Sequence, residues 1–189
     1  MKADKRGGGL GLLSDSHDES ILISKAAKGD NNAFELLMGT HLKVIYNYIC
    51  LHVSGEEDVK DIVQETMLAV WSGMKSFSGK SAFRTWILGI TRRKISDFYR
   101  RKYQFSTVSI YEEEASLTAD DRFDDSVNAI DVKSAIASLS SEEQELVFLA
   151  FNAELTYQEI SDIIQVPVGT VKSRMHNIKS KLRKHLEKE

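Results

Sequence analysis

Cysteine is nearly absent from this chain. Cys50 is the only one in 189 residues, so no disulfide can close within it. A chain without disulfides suits a reducing compartment, and a cytoplasmic location is expected. In the apolar context Tyr48-Ile49-Cys50-Leu51 the thiol is expected to pack rather than react. Proline occurs once, at Pro167, and no stretch of any length alternates apolar with polar residues. Together these point to an all-α protein. No apolar run approaches the roughly 20 residues of a membrane span. Leu10–Leu13, behind Lys5 and Arg6, is too short and too broken by glycine for a signal peptide. The patterns of enzymes are missing as well. His17, His41, His52, His176 and His185 are scattered, with no HExxH and no Cys/His metal spacing. Gly7-Gly8-Gly9 precedes no helix of the kind a phosphate-binding loop needs. No catalytic residue, cofactor, metal or small-molecule substrate is expected. A net charge of -3, from 25 Lys and Arg against 28 Asp and Glu, announces no nucleic-acid partner, so the distribution of charge has to decide.

The most informative stretch is residues 156–182, which reads as two short helices around a tight turn. Thr156 with Glu159 is a capping-box signal, and Ile160, Ile163 and Ile164 give the first helix an apolar face. Pro167 fixes φ, Gly169 permits a reversal, and Thr170 can cap the second helix. Val171, Met175, Ile178 and Leu182 then share one face of that helix. Lys172, Ser173, His176 and Asn177 fall on the other, where they suit base edges and phosphates in a DNA major groove. An ordinary surface helix with a solvated charged face would show the same periodicity. The sharp turn and the basic run Lys179–Lys184 favour DNA. Lys179 and Lys181, later in the helix, are expected to meet phosphates at most.

The segment VPVGTVKSRMHNIKSKL resembles the recognition helix in region four of bacterial sigma factors of the sigma-70 family. Specifically, it resembles the extracytoplasmic-function (ECF, group 4) type. Upstream, LSSEEQELVFLAF, with Ser140 and Glu143 as a further capping box, matches the region-four pattern almost end to end. The resemblance implies that Thr170, Lys172, Ser173, Arg174, His176 and Asn177 bind the -35 promoter element. Asn177 departs from the family, where a basic residue is common.

The rest of the chain divides by composition. Residues 1–19 are aperiodic and read as a flexible tail, with Ser20 capping a first helix that ends at Gly29. Asp30 can cap the next helix, along which Phe34, Leu37, Leu42, Ile45, Tyr46 and Ile49 have the spacing of a core face. A third helix, Asp58–Met74, carries the stripe Val59, Ile62, Val63, Met67 and Val70. Its acidic start needs no partner beyond the helix dipole. Yet GDNNAFELLMGTH and DVKDIVQETMLAVW resemble region two of the same family. The latter is similar to the segment that docks on the clamp helices of RNA polymerase, which implies that Asp58, Asp61, Gln64 and Glu65 face core polymerase.

In SFSGKSAFRTWILGITRRKISDFYRRK, Phe83, Ile87 and Ile90 form the inner stripe, and Ser78 or Ser81 can cap the helix. Arg84, Arg92, Arg93, Lys94, Arg100, Arg101 and Lys102 stand against Asp97 alone, the footprint of a phosphate backbone. This segment resembles the part of region two that opens and reads the -10 element, its loop cupping a flipped base. The resemblance implies a -10 set of Phe77, Ser78, Gly79, Lys80, Ser81, Arg84, Arg92, Arg93, Arg100 and Arg101. Phe83 and Trp86 are expected in the core. Phe77, in the loop, is the better candidate for stacking on a base. Arg93 stands where the family often has Asn.

The expected organisation is therefore a tail at 1–19, region two at 20–103, a flexible acidic linker at 104–127 and region four at 128–189. The two units are expected to behave as separate bodies on that tether. The whole is read as a sigma factor that binds core RNA polymerase and promoter DNA and helps melt the -10 region. The resemblance also implies a partner anti-sigma factor, often membrane-spanning, which could hold the chain at the inner face of the membrane. One alternative is a helix-turn-helix transcription regulator with a sensory amino-terminal domain, against which the region-two match argues. A nucleic-acid-modifying enzyme is disfavoured by the missing site.

Overall fold

Each helix starts and stops where its residues dictate. The computed structural model describes residues 10–105 and 129–187. Helix α1 (Leu10–Ala27) ends because Gly29 adopts φ 93°, a conformation that costs glycine little. Asp30 then accepts from the Ala33 amide at 3.0 Å and caps α2 (Asn31–His52). Helix α3 (Glu56–Gly73) runs into a single 3-10 turn (Met74–Ser76), and a loop leads to α4 (Phe83–Phe105). Beyond residue 128 come α5 (Ala129–Ala137), α6 (Ser141–Val147), a π-helical turn (Phe148–Asn152), α7 (Tyr157–Ile164) and α8 (Val168–Leu186). The described residues hold helices and no strand, as the sequence predicts.

The start of α1 differs from expectation. It lies at Leu10, so residues 10–19, read as tail, are helical. Residues 1–9 and the acidic stretch 106–128 lie outside the described residues, and with the latter lies the expected flexible linker. At its other border α4 continues to Phe105, past the linker start expected at 104.

The amino-terminal core is built by Leu37, Ile45, Tyr48 and Ile49 of α2, Ile62 and Val70 of α3, and Ile87 and Leu88 of α4, all essentially buried. Each such aliphatic side chain contributes about 1.5–3 kcal/mol over leaving it in water. Two residues expected there are not: Leu42 and Tyr46 are both 43% exposed. The apolar stripe on α2 is wider than the face its neighbours can cover. Leu42 and Tyr46 instead line an open groove of roughly 540 Å³ against Lys60, Val63 and Gln64 of α3.

The carboxy-terminal core gathers Leu146, Phe148 and Leu149, Ile160 of α7, and Val171, Met175 and Ile178 of α8. Both capping boxes form. The Ser140 hydroxyl accepts from the Glu143 amide, the Thr156 hydroxyl accepts from the Glu159 amide, and each glutamate reaches back to the cap amide.

The two units touch. Helix α4 lies along α7, and α2 meets α6. Tyr48 of α2 donates to Glu145 of α6 at 2.5 Å, and Thr85 of α4 donates to Glu159 of α7 at 2.7 Å. The expectation of two compact units on a tether rested on the aperiodic stretch between them. It could not register contacts between residues 74 and 97 positions apart.

Burial disfavours the ionised Glu159, but hydrogen bonds from Thr85 and Thr156 outweigh it and hold its carboxyl below the usual value. Such a group stabilises the fold above its unfolded value, and that contribution is lost as pH falls through the lower, folded one. Melting temperature is therefore expected to hold steady through neutral pH and turn down only in the acid carboxylate range. Thr156→Ala removes one arm of the box and should cost about 1 kcal/mol in urea unfolding. An unchanged unfolding midpoint would show that the cap contributes nothing.

Candidate nucleic-acid interface

The turn before α8 is made differently from the sequence reading. The reversal sits at Gln165, which takes φ 58° and ψ 44°, a left-handed conformation at a residue that is not glycine. Its amide side chain donates to the Asp162 carbonyl at 2.5 Å, and Ser161 donates to the Val166 carbonyl at 2.6 Å. These local bonds offset the cost of the backbone. Pro167 is the residue before the helix, with the Thr170 amide donating to its carbonyl at 2.8 Å. Gly169 and Thr170 thus lie inside the first turn of α8, and Thr170 is not its cap. Proline excludes the α conformation from the residue before it and leads into a helix with φ already set, so the helix begins at Val168.

With Val171, Met175 and Ile178 buried, Lys172, Ser173, His176 and Asn177 stand exposed on one face. Thr170 and Arg174 flank them, half-buried, and Arg174 pairs with Glu142 at 3.3 Å. Lys181 does not simply face outward. It reaches Glu143 at 2.6 Å, and this hydrogen bond, against opposing burial, holds the glutamate carboxyl below its usual range. Lys181 therefore ties α8 to α6. Lys179 is exposed on the helix beyond the candidate row.

In the amino-terminal unit the loop before α4 exposes Ser78, Gly79 and Lys80, with Gly79 at φ 69° and Ser81 half-buried. Neither serine occupies the cap. Ala82 does, its carbonyl accepting from the Trp86 amide at 3.1 Å. Phe77 is half-buried and turned toward the helix. Its ring lies 5.4 Å from Phe83 and 5.0 Å from Trp86, in an aromatic cluster that closes the loop onto the helix. Phe83 is buried and Trp86 half-buried against the core, as expected.

The cations of α4 divide into groups. Arg84 donates to the Ala153 carbonyl at 3.2 Å and lies 3.7 Å from Glu154, while Arg92 donates to Glu145 at 3.2 Å. All three partners belong to the carboxy-terminal unit. Arg93 is exposed beside a small cleft that Asp162 of α7 also lines. Arg100 pairs with Asp97 at 2.9 Å, and Arg101 with Glu65 at 2.8 Å.

On α3, Asp61 and Gln64 are exposed and Asp58 is half-buried, so all three reach the surface. Glu65 turns the other way, pairing with Arg101 and with Lys94 at 3.6 Å, and joins α3 to α4. The structure thus separates Glu65 from the acidic row to which it was assigned. Residues that sequence reasoning missed are Glu145, Tyr48, Thr85 and Glu159. Only the capping role of Glu159 carries a local signal. The others act across units and leave no periodic trace.

Among the described residues no group of three His, Cys, Asp or Glu side chains could hold a metal, and no helix is long and apolar enough to cross a membrane. Comparison with known families matches residues 37–104 to sigma-70 region 2 and residues 135–184 to sigma-70 region 4. The RNA polymerase sigma factor YlaC of Bacillus subtilis is 28% identical over 162 residues, covering 83% of this chain and 94% of that protein. The ECF RNA polymerase sigma factor SigW of the same organism is 28% identical over 180 residues, covering 87% and 94%. Among solved structures, CnrH in complex with the cytosolic domain of CnrY superposes with a TM-score of 0.62 at 22% identity, covering 91% of this chain and 99% of that one. RpoE bound to the anti-sigma factor NepR from Bartonella quintana gives 0.59 at 23% identity, covering 82% and 96%. Two family segments in the right order, on helices that expose one graded polar row and one basic helix, leave a single assignment: the chain belongs to the extracytoplasmic-function group of the sigma-70 family and is a transcription initiation factor.

Proposed function

We propose that the exposed row of α8 reads the -35 element and that the loop 77–82 with α4 engages the -10 element. Core RNA polymerase is held through the surface of α2 and α3. The observation that carries this reading is the outward set Lys172, Ser173, His176 and Asn177 behind a fully buried stripe. Such a helix presents donors and acceptors where base edges are met. Asp61, Gln64 and the groove beside them combine acidic, amide and apolar surface, which fits a basic partner with an apolar anchor. No reaction is assigned to the chain itself. The polymerase would do the chemistry, and this protein would supply promoter choice and help nucleate melting.

An anti-sigma factor is a further proposed partner. The support is that RpoE was solved with the anti-sigma factor NepR, and CnrH with the cytosolic domain of CnrY. A cytoplasmic location, at the inner face of the membrane when so held, goes with that proposal. A one-component regulator with a sensory amino-terminal domain is the weaker reading, because the amino-terminal helices match sigma-70 region 2.

Asp61→Arg should weaken binding of core enzyme by about tenfold or more while helical content stays at the parent level. Undiminished pull-down of core enzyme would remove α3 from the docking surface. For base reading, His176→Ala or Asn177→Ala should change which -35 bases are preferred, each contact being worth about 1–3 kcal/mol of discrimination. Lys179→Ala should lower transcription evenly across sequences and flatten the salt dependence. A library randomised across the -35 element, transcribed by each reconstituted holoenzyme, measures both effects. Identical base profiles for all three variants and the parent would mean that another face of α8 enters the groove.

A further inference from the structure

The cations of α8 fall into two kinds. Around the helix axis, at about 100° per residue, Arg174 and Lys181 share the flank that faces α6, and Lys172 and Lys179 share the opposite one. Both cations on the α6 side have acid partners there. Arg174 meets Glu142 at 3.3 Å, and Lys181 meets Glu143 at 2.6 Å. Lys172 and Lys179 are exposed, with no carboxylate partner among the described residues.

The two acid partners are held differently. The Glu142 side chain is 77% exposed, so water and salt compete with Arg174 for it. Arg174 can exchange such a partner for a phosphate. Glu143 is fixed from its own helix. Its Oε2 accepts from the Ser140 amide at 3.1 Å, and its amide donates to the Ser140 hydroxyl, which are the two arms of the α6 capping box. Its Oε1 is thereby aimed at Lys181, and the side chain is only 18% exposed. A carboxylate already oriented by the start of its helix loses little further freedom on pairing, and partial burial shields it from salt.

The pairing matters for DNA because the major groove is bounded by phosphates on both sides. Each phosphate that a cation neutralises releases condensed counterions, and the logarithm of affinity then falls with the logarithm of salt by about 0.9 per contact. A lysine balanced by a fixed carboxylate must give up that partner before it can release any. We propose that Glu143 is a positioning residue for promoter binding, which withholds Lys181 from the phosphate backbone so that the flank of Lys172 and Lys179 carries the grip on DNA. It rests on the -35 reading above. The effect is restraint. One phosphate contact fewer weakens binding to every sequence, matched or not, and leaves the exposed row of α8 to decide between them.

The test measures how tightly reconstituted holoenzyme binds a double-stranded fragment carrying the -35 sequence that the randomised library selects, from about 50 to about 200 mM salt. Glu143→Gln removes the charge and keeps the capping box, which glutamine also completes. It should steepen the salt slope by about 0.9, so that affinity falls about 3.5-fold more than the parent's across that range. Adding Lys181→Met should cancel the change. Lys181→Met alone should flatten the slope by less than half of what Lys179→Met does. That comparison, at two exposed positions, decides the matter should Glu143→Gln lose its helical circular dichroism. A parental slope in folded Glu143→Gln, while Lys179→Met flattens it, would overturn the proposal and leave the -35 reading standing. A steeper slope that Lys181→Met fails to cancel would also overturn it, because net charge alone would then be the cause. So would a flattening by Lys181→Met of half or more of that by Lys179→Met. If no variant departs from the parent, Lys179→Met included, α8 is not on DNA and the -35 reading falls as well.

Discussion

One buried carboxylate decides how the rest of this molecule is arranged. Glu145 belongs to the short helix α6, but its partners Tyr48, His52 and Arg92 belong to α2 and α4. An acid in that position is costly unless every partner arrives together. The amino-terminal helices must therefore be folded and correctly phased before the carboxy-terminal unit can dock. Once docked, Thr85 meets Glu159, the same residue that completes the α7 capping box. The start of the helix-turn-helix is thus coupled to the basic helix through a side chain that serves both.

Charge is managed pairwise on a chain that carries 25 cations and 28 carboxylates. The basic run of α4 looks uncompensated when read along the sequence, because only Asp97 interrupts it. In space Glu65, Glu145 and Glu154 reach it from three other segments. Those pairs that lie at the surface contribute little to stability, a fraction of a kcal/mol each. Their effect is to determine which cations remain open to a polyanion. Lys80 and Arg93 are exposed in the candidate set, whereas Arg84 and Arg92 are half-buried and engaged.

What the sequence makes legible is what short-range physics controls. The all-helical class, the Asp30 cap, both capping boxes and the buried stripe of α8 are set by residues within four positions of each other. They appear as read. Where periodicity over-reached, as at Leu42 and Tyr46, it recorded an apolar face without knowing how much of it neighbouring helices would cover. Gln165 shows another limit. Glycine and proline mark turns statistically, but a left-handed glutamine held by its own side-chain bond carries no such mark. Phe77 turns inward in a way that a loop position does not announce, because Phe83 and Trp86 give it a surface to turn toward. Glu145 was invisible for a simpler reason: its partners lie 53 and 97 positions away.

The π-helical turn Phe148–Asn152 sits between Glu145 and the cap of α7. Such a turn is an α-helix carrying one extra residue, and each residue added to a helix rotates the downstream chain by about 100°. The extra residue therefore works as a gear tooth. It sets the angular phase between Glu145 on α6 and the helix-turn-helix beyond, and it leaves Phe151 facing water at 60% exposure. Losing a single residue here would restore ordinary helical hydrogen bonding and look harmless in composition. It would also rotate α7 and α8 out of step with α4. In this chain a one-residue change of length is a larger event than most changes of identity.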